Sequence, residues 1–110
     1  MTGDLTRLRQ SYRVGFLRYL SRRDELTLHT AYELGRRGLA TGVSLLDLVQ
    51  IHHAVLVDAL NDPGAGELRD IADAAAAFLA EVLAPFEMTR RAVLDHAGGR
   101  AAANPRRQPS

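Results

Sequence analysis

The sequence contains no cysteine, no tryptophan and no lysine, and only 5% of its 110 residues are aromatic. Without cysteine the chain cannot form disulfides or thiolate metal sites, and it has no cysteine nucleophile. All fourteen basic residues are arginine, and alanine is abundant. This pattern indicates a compositional bias, so the number of arginines is weak support for phosphate binding.

Excess charge and long apolar runs are also missing. The formal net charge is +1, which gives no overall field that would draw the chain to nucleic acid or to an anionic membrane. No apolar run approaches the length of about 18 residues that a membrane helix needs, and the first ten residues, MTGDLTRLRQ, lack the apolar core of a signal peptide. We therefore expect a cytoplasmic protein with neither a membrane nor a nucleic acid as partner.

Hydrophobic residues make up 46% of the chain, and they recur at helical spacing almost throughout, with no alternation of the strand type. The pattern predicts an all-α fold of four helices in a single domain. The helices are expected at about 4–20, at 24–40, from Ser44 to the loop at 61–66, and at 67–96. Residues 1–97 form the predicted domain, and residues 98–110 are predicted to be a disordered tail because they lack periodicity.

Three apolar stripes define the predicted core of the first three helices. On the first helix the stripe is Leu5, Leu8, Tyr12, Phe16 and Tyr19. On the second it is Leu28, Tyr32, Gly35 and Leu39, where Gly35 and Gly38 are expected to allow close helix approach. On the third it is Leu45, Leu48, Val49, His52, Leu56 and Leu60.

The fourth helix carries an apolar arc that is wider than one neighbouring helix requires. Its members span roughly 160° of the helical wheel, whereas one packed neighbour needs about 100°. This width predicts a second seam, used by another copy of the chain, with Leu79, Leu83 and Phe86 at the dimer interface. The alternative is a helix that is central in a monomeric bundle. Pro85 interrupts this arc and predicts a bend.

The chain offers little that could support catalysis or metal binding. His52 and His53 are adjacent, so they point about 100° apart on a helix and cannot chelate one ion together. A helical zinc pair needs histidines four residues apart and a third ligand. His52 is predicted to be a hydrogen-bonded core residue, and we expect no catalytic residues, no metal and no cofactor.

A polar ridge is predicted on the second helix, where Glu25, His29 and Arg36 fall within about 40° of one another beside the core stripe. Bundle packing does not require such a ridge. It is either a partner-binding surface or a solvated face.

Three segments carry a resemblance to a known family: FLRYL, LHTAYELGRRGLATGVSLLDLVQIHHAVL and AFLAEVLAPFEM. Together they resemble the N-terminal domain of RsbU-type serine phosphatases over roughly residues 10–96. The resemblance implies an all-helical domain that dimerises side by side, similar to the C-terminal domain of KaiA. It also implies a partner of the RsbT switch-kinase type, docked on positions that match Glu25 and His29 of the second helix and Ala84 of the last.

The function expected from the resemblance is a non-catalytic signalling module that regulates a serine phosphatase in a sigma-factor stress pathway. No phosphatase domain follows the resembling segment, so we expect a free-standing version or a fragment of a longer protein. Three alternatives are a purely structural dimerisation module, an input domain of a sensor kinase, and a small-molecule sensor with a pocket near His52. No convergent polar set in the sequence supports such a pocket.

Overall fold

The computed structural model describes the backbone of residues 2–103 and the side chains of residues 3–96. Its four α-helices are α1 (Thr2–Ser21), α2 (Glu25–Ala40), α3 (Leu45–Leu60) and α4 (Leu68–Ala103), with a short 3-10 helix (Pro63–Ala65) before α4. No strand occurs within residues 2–103. The predicted all-α, four-helix architecture is confirmed. Helix α4 extends to Ala103, which is six residues into the predicted tail. Residues 104–110 lie outside the described part, so the predicted disorder of the tail stays a prediction.

The helix ends follow local signals in the sequence. Asp24 caps α2, where its Oδ1 accepts from the Thr27 amide at 2.8 Å and Thr27 Oγ1 accepts from the Asp24 amide at 3.4 Å. Ser44 caps α3, where its Oγ accepts from the Asp47 amide at 3.0 Å. Gly42 follows α2 at φ 79°, a left-handed conformation that glycine adopts without strain. Two short capped connections thus fold α1, α2 and α3 back on one another.

The predicted stripe of α1 faces the core. Leu8, Tyr12, Phe16 and Tyr19 are all buried, and Leu5 is partly buried against them. Phe78 of α4 lies among these rings: the centroids of Tyr12 and Phe16 are 5.1 and 5.5 Å from its own, both in edge-to-face geometry. This aromatic cluster joins α1 to the centre of α4.

The predicted stripe of α2 is only partly correct: Gly35 is buried and Leu28 is partly buried, but the centre of the buried side lies about a quarter turn away. The helix buries small residues as well as Leu34, while Leu39 is 37% exposed. A β-carbon added at Gly35 would overlap the carbonyl oxygen of Val82, so the backbones of α2 and α4 meet at this point. The close approach rotates α2 until its glycines face α4. Its buried residues are Ala31, Leu34, Gly35 and Gly38.

The predicted stripe of α3 is also only partly correct. The helix buries Leu48, Ile51, Val55 and Ala59, and much of the predicted stripe faces outward. Apolar residues cover more than half of the circumference of α3, so periodicity could not select the buried side. The large apolar residues of α3 that are exposed form what we call the α3 apolar face: Leu45, Leu46, Val49, Val57 and Leu60.

The long helix α4 runs through Pro85 without ending. Pro85 has no N–H for the carbonyl of Glu81, and its side chain is buried. Its Cδ would lie 3.2 Å from a β-carbon at Gly35. Pro85 therefore packs on the glycine surface of α2, next to the closest approach of the two helices.

Candidate functional site

An open groove runs between α2 and α4 beside the Gly35 contact. Tyr32 and Met88 face each other across it, with 4.0 Å between the tyrosine hydroxyl and the Met88 sulfur. The groove is mainly apolar, with Arg36 at its edge. We call it the α2–α4 groove; its lining residues are Tyr32, Arg36, Leu39, Ala40, Pro85, Met88, Thr89 and Ala92.

The predicted polar ridge reaches this groove at Arg36, which lines it. Glu25, His29 and Arg36 are all exposed. The His29 ring stacks on Tyr32, with centroids 5.9 Å apart and an interplanar angle of 23°, and His29 Nε2 lies 3.2 Å from a carboxylate oxygen of Glu33. The ridge therefore connects to the groove through Tyr32 and Arg36, which gives a polar rim beside an apolar floor.

Ala84, the predicted partner-binding residue of α4, is half-buried. It precedes Pro85 and lies one turn before Met88, and both of these residues line the groove. Ala84 therefore lies next to the α4 wall of the groove. Glu25, in contrast, lies in the first turn of α2.

Sequence reasoning missed several residues of this surface. Tyr32 and Leu39 were assigned to the core, yet both line the groove. Leu26, next to Glu25, is 76% exposed. No sequence signal marked Leu26 as part of a binding surface, because single exposed apolar residues are normal on proteins.

The three predicted dimer residues, Leu79, Leu83 and Phe86, are half-buried. Leu83 and Phe86 pack against the core of their own chain, so only part of each side chain is available to another molecule. The α3 apolar face is more exposed, with Leu46 at 74%. No arginine lies on α3, and Asp47 and Asp58 are its only carboxylates.

The side chain of His52 forms a hydrogen bond with α1. The hydroxyl of Tyr12 lies 2.7 Å from His52 Nδ1, and the two rings meet edge to face at 5.9 Å. Burial raises the pKa of Tyr12, so the hydroxyl stays protonated and can donate to the neutral imidazole. Among the residues whose side chains are described, no group of three potential ligands could hold a metal ion.

Burial, and secondarily the charge of His53, lowers the pKa of His52 from its ordinary value of 6.5. A protonated imidazole would have to donate through Nδ1, which would leave the fully buried Tyr12 hydroxyl proton without this acceptor. The neutral form is therefore the one that the fold accommodates.

A pH dependence of stability follows from this shift. The folded pKa of His52 is depressed, so the unfolded chain binds its proton first as the pH falls. The contribution of His52 is complete above pH 6.5 and is lost as the pH drops from there to the lower folded pKa. Urea unfolding of wild type and His52→Asn between about pH 7 and 5 should show a steeper loss in the wild type. Parallel pH profiles would contradict the assignment.

Within the described part of the chain, no helix combines the length and the hydropathy needed to cross a membrane.

The chain matches a known protein family over most of its length. A family model described as "Phosphoserine phosphatase RsbU, N-terminal domain" matches residues 10–89. That segment holds most of α1, the whole of α2 and α3, and every groove-lining residue except Ala92. Comparisons with curated proteins and with solved structures gave no match.

Proposed function

Because the chain belongs to the family of RsbU N-terminal domains, as the match over residues 10–89 shows, we propose that it is a non-catalytic module that binds a switch kinase of the RsbT type. Such a domain is a regulatory module of a phosphoserine phosphatase, and its expected partner is a signalling protein. Through that partner the module regulates a serine phosphatase in a sigma-factor stress pathway in the bacterial cytoplasm.

The observation that supports this function is the pairing of the polar ridge with the α2–α4 groove. Protein interfaces combine an apolar centre with a polar rim. Here Tyr32, Leu39 and Met88 supply the apolar centre, and Arg36 and His29 supply the polar rim. Glu25 continues the ridge one helical turn before His29. His29 links the two because it stacks on Tyr32.

Charge reversal at Glu25 tests the proposal. We expect Glu25→Lys to weaken binding of a purified RsbT-type kinase by roughly a hundredfold or more, because an unpaired or repulsive interfacial charge costs several kcal/mol. Ala84→Asp should also weaken it, since a charge would enter a half-buried position. Isothermal titration calorimetry measures both affinities, and circular dichroism checks the fold.

The matched control is Asp70→Lys. Asp70, like Glu25, is an exposed acidic residue in the first turn of its helix, so both substitutions lose the same favourable interaction with the helix dipole, a few tenths of a kcal/mol. Asp70→Lys should bind as the wild type does. Wild-type affinity in folded Glu25→Lys and Ala84→Asp would place the binding surface elsewhere.

The module also associates with a second copy of itself. The supporting observation is apolar surface that remains accessible outside the groove. The half-buried Leu79, Leu83 and Phe86 of α4 provide one candidate seam, and the α3 apolar face provides another. Either surface without a partner would leave large aliphatic side chains in water. A purely structural dimerisation module would use the same surface but would bind no kinase.

Glutamate substitutions separate the two seams. Leu83→Glu should give a monomer if the seam lies on α4, and Leu46→Glu should do so if it lies on α3, since a charge would be desolvated against apolar partners. Leu83 packs partly on the core, so circular dichroism must show that its variant folds; Leu46 is 74% exposed and carries no such risk. A wild type that sediments as a monomer at high concentration would exclude dimerisation.

A further inference from the structure

Charge is unevenly distributed along the chain although its net value is only +1. Residues 1–37 contain eight arginines and four carboxylates, whereas residues 38–89 contain eight carboxylates and one arginine, Arg69. Since α1 and most of α2 come from the first segment, and α3 and α4 up to residue 89 from the second, the α1–α2 side is basic and the side formed by these parts of α3 and α4 is acidic.

The basic residues flank a second groove, which runs between α1 and α2. Arg7 and Arg37 line one end of it, Arg18 lines the other, and Ser11 borders it along its whole length. Thr30 forms part of its wall. We call this the α1–α2 groove. It uses a different side of α2 from the α2–α4 groove, and Arg36 borders both grooves.

In the described part of the chain, the arginines of this groove are not paired with its carboxylates. Among residues with described side chains, Arg7, Arg18 and Arg37 form no ion pair, whereas Arg13 pairs with Asp58 at 3.5 Å. Of the two carboxylates in the groove, Glu33 lies 3.2 Å from His29, and Asp4 also has an interaction of its own. The cations therefore face the groove with their donors available.

The spacing of the cations sets the length of a ligand. Arg7, Ser11 and Arg18 lie on one row of α1, because they are four and seven residues apart. Eleven residues of helix separate Arg7 from Arg18, which is about 16 Å along the axis. An extended peptide covers that distance with about five residues.

We propose that the α1–α2 groove binds an acidic peptide segment of a partner protein, with carboxylates that reach Arg7 and Arg37 at one end and Arg18 at the other. Arginine suits this role because its planar guanidinium forms two parallel hydrogen bonds with one carboxylate. The hydroxyls of Ser11 and Thr30 provide partners for peptide groups between the charges. This surface is additional to the α2–α4 groove and does not depend on kinase binding there.

A peptide fits the groove better than a nucleic acid does. Binding of single strands relies on aromatic side chains for base stacking, and no aromatic residue lines the described groove. Asp4 and Glu33 would also repel a continuous phosphate backbone. In contrast, a peptide can place its backbone N–H groups, not its carboxylates, next to these two residues.

The test uses a fluorescein-labelled hexaglutamate peptide and fluorescence anisotropy at about 50 mM salt, where screening is modest. We expect the wild type to bind it, and the double variant Arg7→Gln/Arg37→Gln to bind it roughly tenfold or more weakly. The control is Arg9→Gln/Arg69→Gln, which removes the same charge from exposed positions outside the groove and should stay within about twofold of the wild type. Circular dichroism verifies that both variants fold.

Four results would overturn the proposal. The wild type could fail to bind hexaglutamate, or both double variants could lose the same affinity, which would show a non-specific charge effect. Inorganic phosphate at equal ionic strength could displace the peptide, which would assign the groove to a single small anion. A labelled oligothymidylate could bind more tightly than hexaglutamate and depend on the same two arginines, which would make the ligand a nucleic acid.

Discussion

Gly35→Ala is expected to destabilise the fold by about 3 kcal/mol, at the upper end of the cost of overpacking. The added β-carbon would overlap the Val82 carbonyl oxygen, and a backbone atom inside a helix cannot move aside as a flexible side chain can. The helices α2 and α4 would have to separate where their backbones meet. Thermal unfolding followed by circular dichroism should show a midpoint lowered by roughly 12 °C for a domain of this size.

Gly38→Ala provides the matched control on the same helix. The three atoms nearest to its β-carbon would be side-chain atoms of Leu8, Val43 and Phe86, at 3.6, 3.7 and 3.8 Å, which are ordinary contact distances. Replacing a helical glycine with alanine then gains up to about 1 kcal/mol. Opposite signs for the two substitutions are the expected result. Equal effects would show that α2 and α4 do not meet at Gly35.

The second large effect is expected at His52. His52→Ala leaves the Tyr12 hydroxyl, which is in a fully buried residue, without its bond to Nδ1, and an unpaired buried hydroxyl costs about 1–3 kcal/mol. His52→Asn keeps a polar group at this position and should cost less. Urea unfolding of the three proteins near pH 7.5 measures the difference while the imidazole is neutral.

Tyr12→Phe completes a double-mutant cycle with His52→Ala. If the hydroxyl and the imidazole stabilise the fold together, the two losses will not add, and a coupling of about 0.5 kcal/mol or more will remain. If the two losses of stability are additive, the hydrogen bond between Tyr12 and His52 does not stabilise the fold. Stoichiometric zinc binding by the wild type that is lost in His52→Ala would contradict the structural role itself.

The candidate partner surface illustrates how far sequence reasoning reaches. The ridge of Glu25, His29 and Arg36 could be placed from helical angles, because exposed polar residues need only the helix and its core side to be positioned. Tyr32 and Met88 could not, because they contact each other across fifty-six positions of the chain. From the pattern of one helix alone, a tyrosine or a leucine on the apolar side is assigned to the core, because the position of the neighbouring helix is not known.

The sequence by itself determined the helical class, the order of four helices, the cap at Asp24, the left-handed turn at Gly42 and the buried stripe of α1. Each of these depends on residues close together in the chain, where capping and periodicity act directly. The small residues of α2 likewise indicated close packing before its partner was known.

Only the tertiary structure decided which sides of α2 and α3 are buried. Both helices carry apolar residues on more than one face, so their local energies favour no single orientation. The contact of Gly35 with the Val82 carbonyl turns α2 towards α4, and the bond of Tyr12 to His52 holds α3 with Leu48 and Ile51 inwards. The outward faces of α2 and α3 follow from these long-range contacts, and they create the α2–α4 groove and the α3 apolar face.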